Sequence, residues 1–548
     1  MKLYNLLSVI TLGCGLMVAC SDLDTIPEGG TFTEDQKKEV AEAIPERLKA
    51  DVNGMFASIG TQYCIFGSAS SRDDDAGYPT VCLSQDLNGP DMVSDATDYN
   101  WFSTSSEYSD RNDTYANPYM RWAVFYNQIK LANDVLKSIP ADTENETLLK
   151  YMAQAKAVRA FDYLCLAPYF QFKYKGNEDK PCIPLVLDVM EGDPSNNPRA
   201  TVKAVYEQIL SDLDAAIEGL EGVTRDSKAQ IDQQIAYGLR ARAYLYMEEW
   251  EKAAADAEKA MAGYRFYNRE EVAQPAFVSS TEPSWMWSII LTPTNIPDAY
   301  PSWPSVLSSF SGESYTAGVG CYKLVNVLLF NKIPATDVRK GWWVDDKLHS
   351  DNLKNVTWNG VTGDAVATLA ITDIKLPFKP YTNVKFGQYD YIGNNINAGD
   401  WCLMRAEEML LIRAEAKAMS GDLAGGKALL EDFIRNYRDP EYTCKATDAT
   451  SFQDEVWFQR RVELWGEGFS MADIMRLGKN IVRFNSVTPS NFPEAHKFNI
   501  ASNDGYLLLR IPQKETNNNL GIPLSANNNE GSQPISGAGA GLRDGITD

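Results

Sequence analysis

Histidine is nearly absent from the chain: there are two in 548 residues, His349 and His496, far apart and in polar surroundings. A histidine-built metal centre is thereby excluded, and a Ser-His-Asp triad would have to use one of these two. Basic charge is also scarce. The 51 Lys and Arg face 74 Asp and Glu, a net charge of −23, which repels nucleic acid and anionic headgroups and suits a neutral or weakly charged ligand. None of the nine cysteines has CxxC spacing, so neither a zinc ribbon nor a thioredoxin-like motif is supported, and the metal and cofactor sets are left empty. With Cys14 and Cys20 set aside, Cys64, Cys82, Cys165, Cys182, Cys321, Cys402 and Cys444 remain, an odd number, so at least one should be unpaired. After residue 19 no segment can span a bilayer.

What is present begins at the N-terminus. Leu3 to Ala19 is apolar, with Lys2 ahead of it and no basic flank behind, so residues 1–19 read as a secretory signal rather than a membrane span. Ala19 before Cys20 is the small-residue site at which cleavage frees a cysteine for acylation; an ordinary signal cleaved nearby, with Cys20 incidental, is the other reading. If Cys20 is lipidated, several acyl chains at ~0.8 kcal/mol per buried methylene anchor the protein durably. Residues 20–33, polar and carrying Pro27, Gly29 and Gly30, then form a tether.

Hydrophobic residues make up 44% of the chain, enough for a sizeable core. Trp122, Phe125, Ile129, Ala132, Leu136 and Ile139 fall at helical spacing and stop at Pro140. A second helix is expected from about Glu146 to Tyr169, and Val205, Ile209, Leu213, Ala216 and Leu220 mark a third, closed by Gly222. In "LRARAYLYMEEWEKAAADAEKAM", Leu239, Ala241, Tyr244, Trp250, Ala253 and Ala260 occupy the positions of a tetratricopeptide repeat. The same frame recurs in "LLIRAEAKAMSGDLAGGKALLEDFI", where Ala414 matches Ala241, Gly421-Asp422 matches the turn Glu248-Glu249, and Gly426 matches Ala253. So wide a separation is not that of a plain tandem solenoid. The expected fold is mainly α: tetratricopeptide-like helical hairpins, about 116–263 and 402–480, form a frame within one domain, 34–548. Loop-rich insertions at about 64–113 and 265–400 interrupt it, the larger with short strands such as "SWMWSII". The polar tail, 517–548, is expected to be poorly ordered at its end.

Glu463 and Glu467, at i and i+4 in "RRVELWGEGF", suggest a general acid and base. The neighbouring guanidinium groups argue against it, because they favour ionised carboxylates. Arg460, Arg461, Glu463, Glu467, Asp473 and Arg476 therefore read as a scaffold network. "SRDDDAG", 71–77, lacks the alternation of a calcium loop and reads as solvated charge. In "DATDYNWF", 95–102, Asp98, Tyr99, Asn100 and Trp101 combine rings with carboxylate and amide, the pairing that a sugar needs for its C–H face and its hydroxyl rim. "DAYPSWPSVLSSFSGESY", 298–315, offers Tyr300, Trp303 and Tyr315. Each ring taken alone is as well explained by pinning a loop to the frame. Trp285 and Trp287, on one face of a strand, are assigned to packing.

Six segments together resemble one family: "CSDLDTIP", "AVRAFDYLCLAPYF" at 157–170, the hairpin at 236–262, "MRAEEMLLIRAEAKAMSGD" at 404–422, "RRVELWGEGFSMADIMRLGKN" at 460–480 and "LLLRIPQKE" at 507–515. In this order and spacing the chain is similar to the SusD/RagB-like outer-membrane lipoproteins of glycan and peptide uptake. The resemblance implies a surface-exposed, non-catalytic binding protein of the outer membrane that works with a SusC-like TonB-dependent transporter. It also implies that the two insertions build the ligand platform. The resulting expectation is oligosaccharide binding through Asp98, Tyr99, Asn100, Trp101, Tyr300, Trp303 and Tyr315, with lipid on Cys20 as the sole membrane contact. A peptide-binding member of the same family and a helical glycoside hydrolase with two carboxylates are the alternatives. This chain continues past its "IPQKE" segment, where the family commonly ends.

Overall fold

Polar caps set where the long helices begin. Asn145 accepts from the amides of Thr147 and Leu148, Thr201 from Ala204, Asp232 from Ile235, Asp422 from Gly425 and Asp448 from Ser451. Each satisfies donors that a first helical turn leaves unpaired. The computed structural model describes residues 33–96, 101–190, 192–296, 300–528 and 531–546. Numbering only helices of eight residues or more, they are α1 (Glu34–Ala43), α2 (Lys49–Ala57), α3 (Tyr78–Asn88), α4 (Ala116–Lys137), α5 (Glu146–Phe170), α6 (Val202–Gly219), α7 (Gln233–Met247), α8 (Trp250–Ala260), α9 (Ala406–Met419), α10 (Leu423–Tyr437), α11 (Ala449–Glu463) and α12 (Ser470–Leu477). No described helix is long and apolar enough to cross a membrane.

Helices α4 to α10 pack each on the next. The hairpin α9–α10 lies directly against α8, so the array is continuous in space although residues 261–405 separate its two halves in sequence. The matched frames explain the fit. Both turns need a left-handed residue, supplied by Glu248 at φ 61° and Gly421 at φ 103°. Gly426 crosses so close to α9 that a Cβ there would sit 2.7 Å from the Ala414 carbonyl oxygen. The fold is mainly α, as expected.

The larger insertion leaves and re-enters through one antiparallel ladder, β1 (Trp285–Ile289) against β2 (Trp401–Arg405), irregular between Trp285 and Ser288. Trp285 and Trp287 are buried, and the Trp287 indole donates to the Ala229 carbonyl at 3.0 Å, in keeping with a packing role. Beyond this neck the insertion has its own small core around Phe310, Tyr322, Trp358 and Phe378. Met92–Val93 pairs with Leu324–Val325 and ties the smaller insertion to the larger.

Most of the polar tail is packed rather than free over its described residues. Residues 517–528 and 531–546 lie against the frame, because asparagines there satisfy main-chain groups. Asn527 accepts from the Ile511 amide at 2.7 Å and donates to its carbonyl at 2.8 Å, Asn528 donates to the Phe170 and Leu509 carbonyls, and the Asn499 amide donates to the Ala538 carbonyl. The seven cysteines from Cys64 to Cys444 are all free thiols.

Candidate functional site

Ser302 accepts from the Ser305 amide and opens a single helical turn, Trp303–Leu307, every residue of which is buried. That turn divides the aromatic residues of its segment. Tyr300 is left outside at 43% exposure, while Trp303 points inward at 1%. The Trp303 indole donates to the Gly399 carbonyl at 2.7 Å and packs on Phe386 and Trp401 at centroid distances of 5.9 and 5.5 Å. Expected as a ligand contact, Trp303 instead pins the insertion to its own neck, since its polar atom and its faces are already used.

The other rings gather where the two insertions meet. Tyr315 is edge-on to Trp101 at 6.4 Å and to Tyr300 at 5.6 Å, a chain of three rings from both insertions. The Tyr315 hydroxyl donates to Asp73 at 2.6 Å. Burial, and next the bond to Asp73, push its pKa up to about 12, so it stays a phenol and a donor. Arg72 lies over Trp101 at 5.8 Å and over Phe66 at 5.4 Å, while Asp74 grips its Nε and Nη2 at 3.1 and 2.6 Å. The acidic run expected to be solvated is therefore a clasp: Asp73 holds Tyr315, Asp74 holds Arg72, and Asp75 accepts from the amides of Ile65 and Phe66. Among the described residues no cluster of three or more metal-ligating side chains exists. Asp98, Tyr99 and Asn100 lie outside the described residues, as does Cys20. Arg72 and Asp73 were missed as parts of this surface. They sit in a charge run, and their partners lie 29 and 242 positions away.

The charged network behind the patch differs from its expected pairing. Helix α11 ends at Glu463, so Glu467 sits in the following turn rather than on the same helix face. Both carboxylates still converge on Arg405: Glu463 at 2.9 Å, Glu467 at 2.8 and 2.9 Å. Glu463 also accepts from Arg339 at 3.1 Å and from Arg438 at 2.8 and 2.9 Å, and Glu467 from Lys385 at 2.6 Å. Arg460 and Arg461 go elsewhere, to Asp473 and Asp91. Burial alone would raise the Glu463 carboxyl, but Arg438, Arg405 and Arg339 outweigh it and hold it well below the usual range; Arg405 and Lys385 lower Glu467 in the same way. Neither can act as a general acid near neutral pH.

The match to known sequences runs through both halves of this arrangement. The model of a family described as "Starch-binding associating with outer membrane" matches residues 80–245, and that of the "SusD family" matches residues 314–529. The chain belongs to the SusD family. A SusD-like protein P38 of Formosa agariphila is 22% identical over 393 residues, 66% of this chain and 73% of that one. A SusD-like carbohydrate binding protein from Bacteroides vulgatus superposes with a TM-score of 0.69 at 24% identity, covering 87% of this chain and 96% of its own. A laminarin binding SusD-like protein gives 0.55 at 18% identity over 86% and 96%. At these identities the structures establish the SusD fold: a helical frame with insertions. The two solved neighbours are described as binding carbohydrate and laminarin, and the family matched over residues 80–245 as starch-binding.

Proposed function

We propose that the protein is a non-catalytic surface receptor that captures a neutral oligosaccharide on the ring chain Trp101–Tyr315–Tyr300 and passes it to a SusC-like TonB-dependent transporter. The convergence of two sequence-distant insertions on half-buried rings with a polar rim carries this reading. Three rings stack on sugar faces, Arg72 and Asp73 address hydroxyls, and Asp98, Tyr99 and Asn100 belong to the same segment as Trp101. The laminarin binding relative supports a glycan over the peptide alternative, and the Arg-held Glu463 and Glu467 disfavour hydrolysis. Release of reducing ends from a glycan by the purified protein would overturn the non-catalytic assignment.

Glycan and peptide arrays on the protein without residues 1–20, followed by calorimetry, test the reading. For the best glycan, Trp101→Ala and Tyr300→Ala should each weaken binding by ~1–3 kcal/mol, tenfold or more, with little change in melting temperature. Unchanged affinity in both variants removes the patch from the site.

Cys20 is the proposed lipid attachment point and the outer-membrane surface the proposed location. Cys20→Ala should leave the protein unlipidated and absent from the membrane fraction. Retention there at the wild-type level would show that another anchor exists. Mild detergent extraction should copurify the transporter; isolation as a lone protein under several gentle conditions would count against delivery.

A further inference from the structure

A small cavity lies in the frame, lined by none of the three patch rings, between α3, α5, α7 and α12. Its volume is about 50 Å³, and Tyr78, Gln85, Arg111, Tyr169, Arg242 and Met471 are among its walls. That is far below the ~300 Å³ at which small-molecule pockets begin, yet room for a few waters or one small ion.

The wall is positively charged beyond its partners. Arg111 is 1% exposed, and its Nε and Nη2 have no hydrogen-bond partner; the Tyr169 hydroxyl has only Gln85 beside it. Arg111 rests on the Tyr108 ring at 4.5 Å, and its one ionic neighbour, Asp110, is 4.0 Å away. Asp110 is shared with Arg121, whose Nη2 lies at 3.4 Å, and its Oδ2 is further occupied by Ser105 and Asn117 at 2.9 and 2.7 Å. Arg483, packed on the other side of Tyr108, donates only to main-chain carbonyls, those of Leu87, Asn88, Gly89, Ser106 and His496. Two buried guanidinium groups, those of Arg111 and Arg121, thus share the single carboxylate of Asp110, and the third, Arg483, meets only carbonyls, inside a protein whose net charge is −23. Arg242, on the opposite wall, is neutralised by Glu408 at 2.6 Å. Burying unpaired charge is costly unless a counter-ion is supplied.

We infer that this cavity is a binding site for one small inorganic anion of halide size, held by Arg111 Nε and Nη2 and the Tyr169 hydroxyl. The anion serves the helical frame rather than glycan capture, so it is independent of the receptor reading. The depressed pKa of Arg111, caused first by burial, fits a guanidinium short of negative charge.

Chloride and bromide are the probes. At constant ionic strength, replacing gluconate by chloride should raise the melting temperature of the whole protein by about 2 °C or more, saturating with concentration. Crystals grown in bromide should show anomalous density within hydrogen-bond reach of Arg111. Arg111→Gln should abolish the chloride response and leave glycan affinity unchanged. If that variant does not fold, the bromide crystal of the unaltered protein decides alone. Equal melting in chloride and gluconate, or density explained by water alone, would overturn the assignment.

Discussion

Glu463→Gln is expected to destabilise the protein by ~3–5 kcal/mol, the range seen when one partner of a buried ion pair is removed. The carboxylate is fully buried and accepts from Arg339, Arg405 and Arg438. Gln keeps the volume but leaves three guanidinium groups facing a neutral amide, two of whose hydrogens point at donors. The sign of the pH dependence follows from the lowered pKa. The stabilisation is present above the ordinary glutamate value of 4.5 and is lost only as pH falls below it, through the depressed folded value. Chemical denaturation at pH 7 should show the full deficit in the variant, and the gap should narrow in strong acid. A variant that unfolds at the wild-type denaturant concentration at pH 7 would show that the network contributes nothing net.

Trp303→Ala should cost ~3–5 kcal/mol, as for other buried aromatic truncations, while the folded variant keeps its glycan affinity. The ring fills the space between Phe386 and Trp401, and its indole proton satisfies the Gly399 carbonyl. Removing it opens a cavity, strands an acceptor and loosens the insertion at its base. Trp101→Ala is expected to do the opposite, costing affinity at nearly constant stability. Calorimetry and melting on these two variants form a crossed design. Loss of affinity in the folded Trp303 variant would return that residue to the ligand surface.

These two tryptophans also mark how far the sequence could be read. Periodicity placed the helices within a few residues, because an amphipathic stripe and its caps are local properties. The match between Ala414 and Ala241 located the second hairpin because close helix packing demands small residues wherever it occurs. Inward and outward rings in 298–315 look alike: Ser302 with Pro304 after it can signal a helical turn, but not that the turn presses Trp303 on Phe386 and Trp401, which lie far along the chain. The partners of Glu463 were not legible either. Arg339, Arg405 and Arg438 lie 124, 58 and 25 positions away, while the adjacent Arg460 and Arg461 turn to Asp473 and Asp91. Asn527 could not be read as ordered structure from a polar, glycine-rich composition, because its order comes from bonds to Ile511.

The narrow neck formed by Trp285–Ile289 and Trp401–Arg405 makes the larger insertion look like a cassette, with entry and exit side by side. A graft from a relative would join at those ends with little closure entropy at stake. Yet Arg339 and Lys385, both inside the cassette, neutralise Glu463 and Glu467 on the frame. An exchange that matches the ends but omits these two cations would leave the acceptor scaffold with buried negative charge that Arg405 and Arg438 must balance alone. A working graft of this insertion therefore has to bring Arg339 and Lys385, or two equivalent cations, along with its loops.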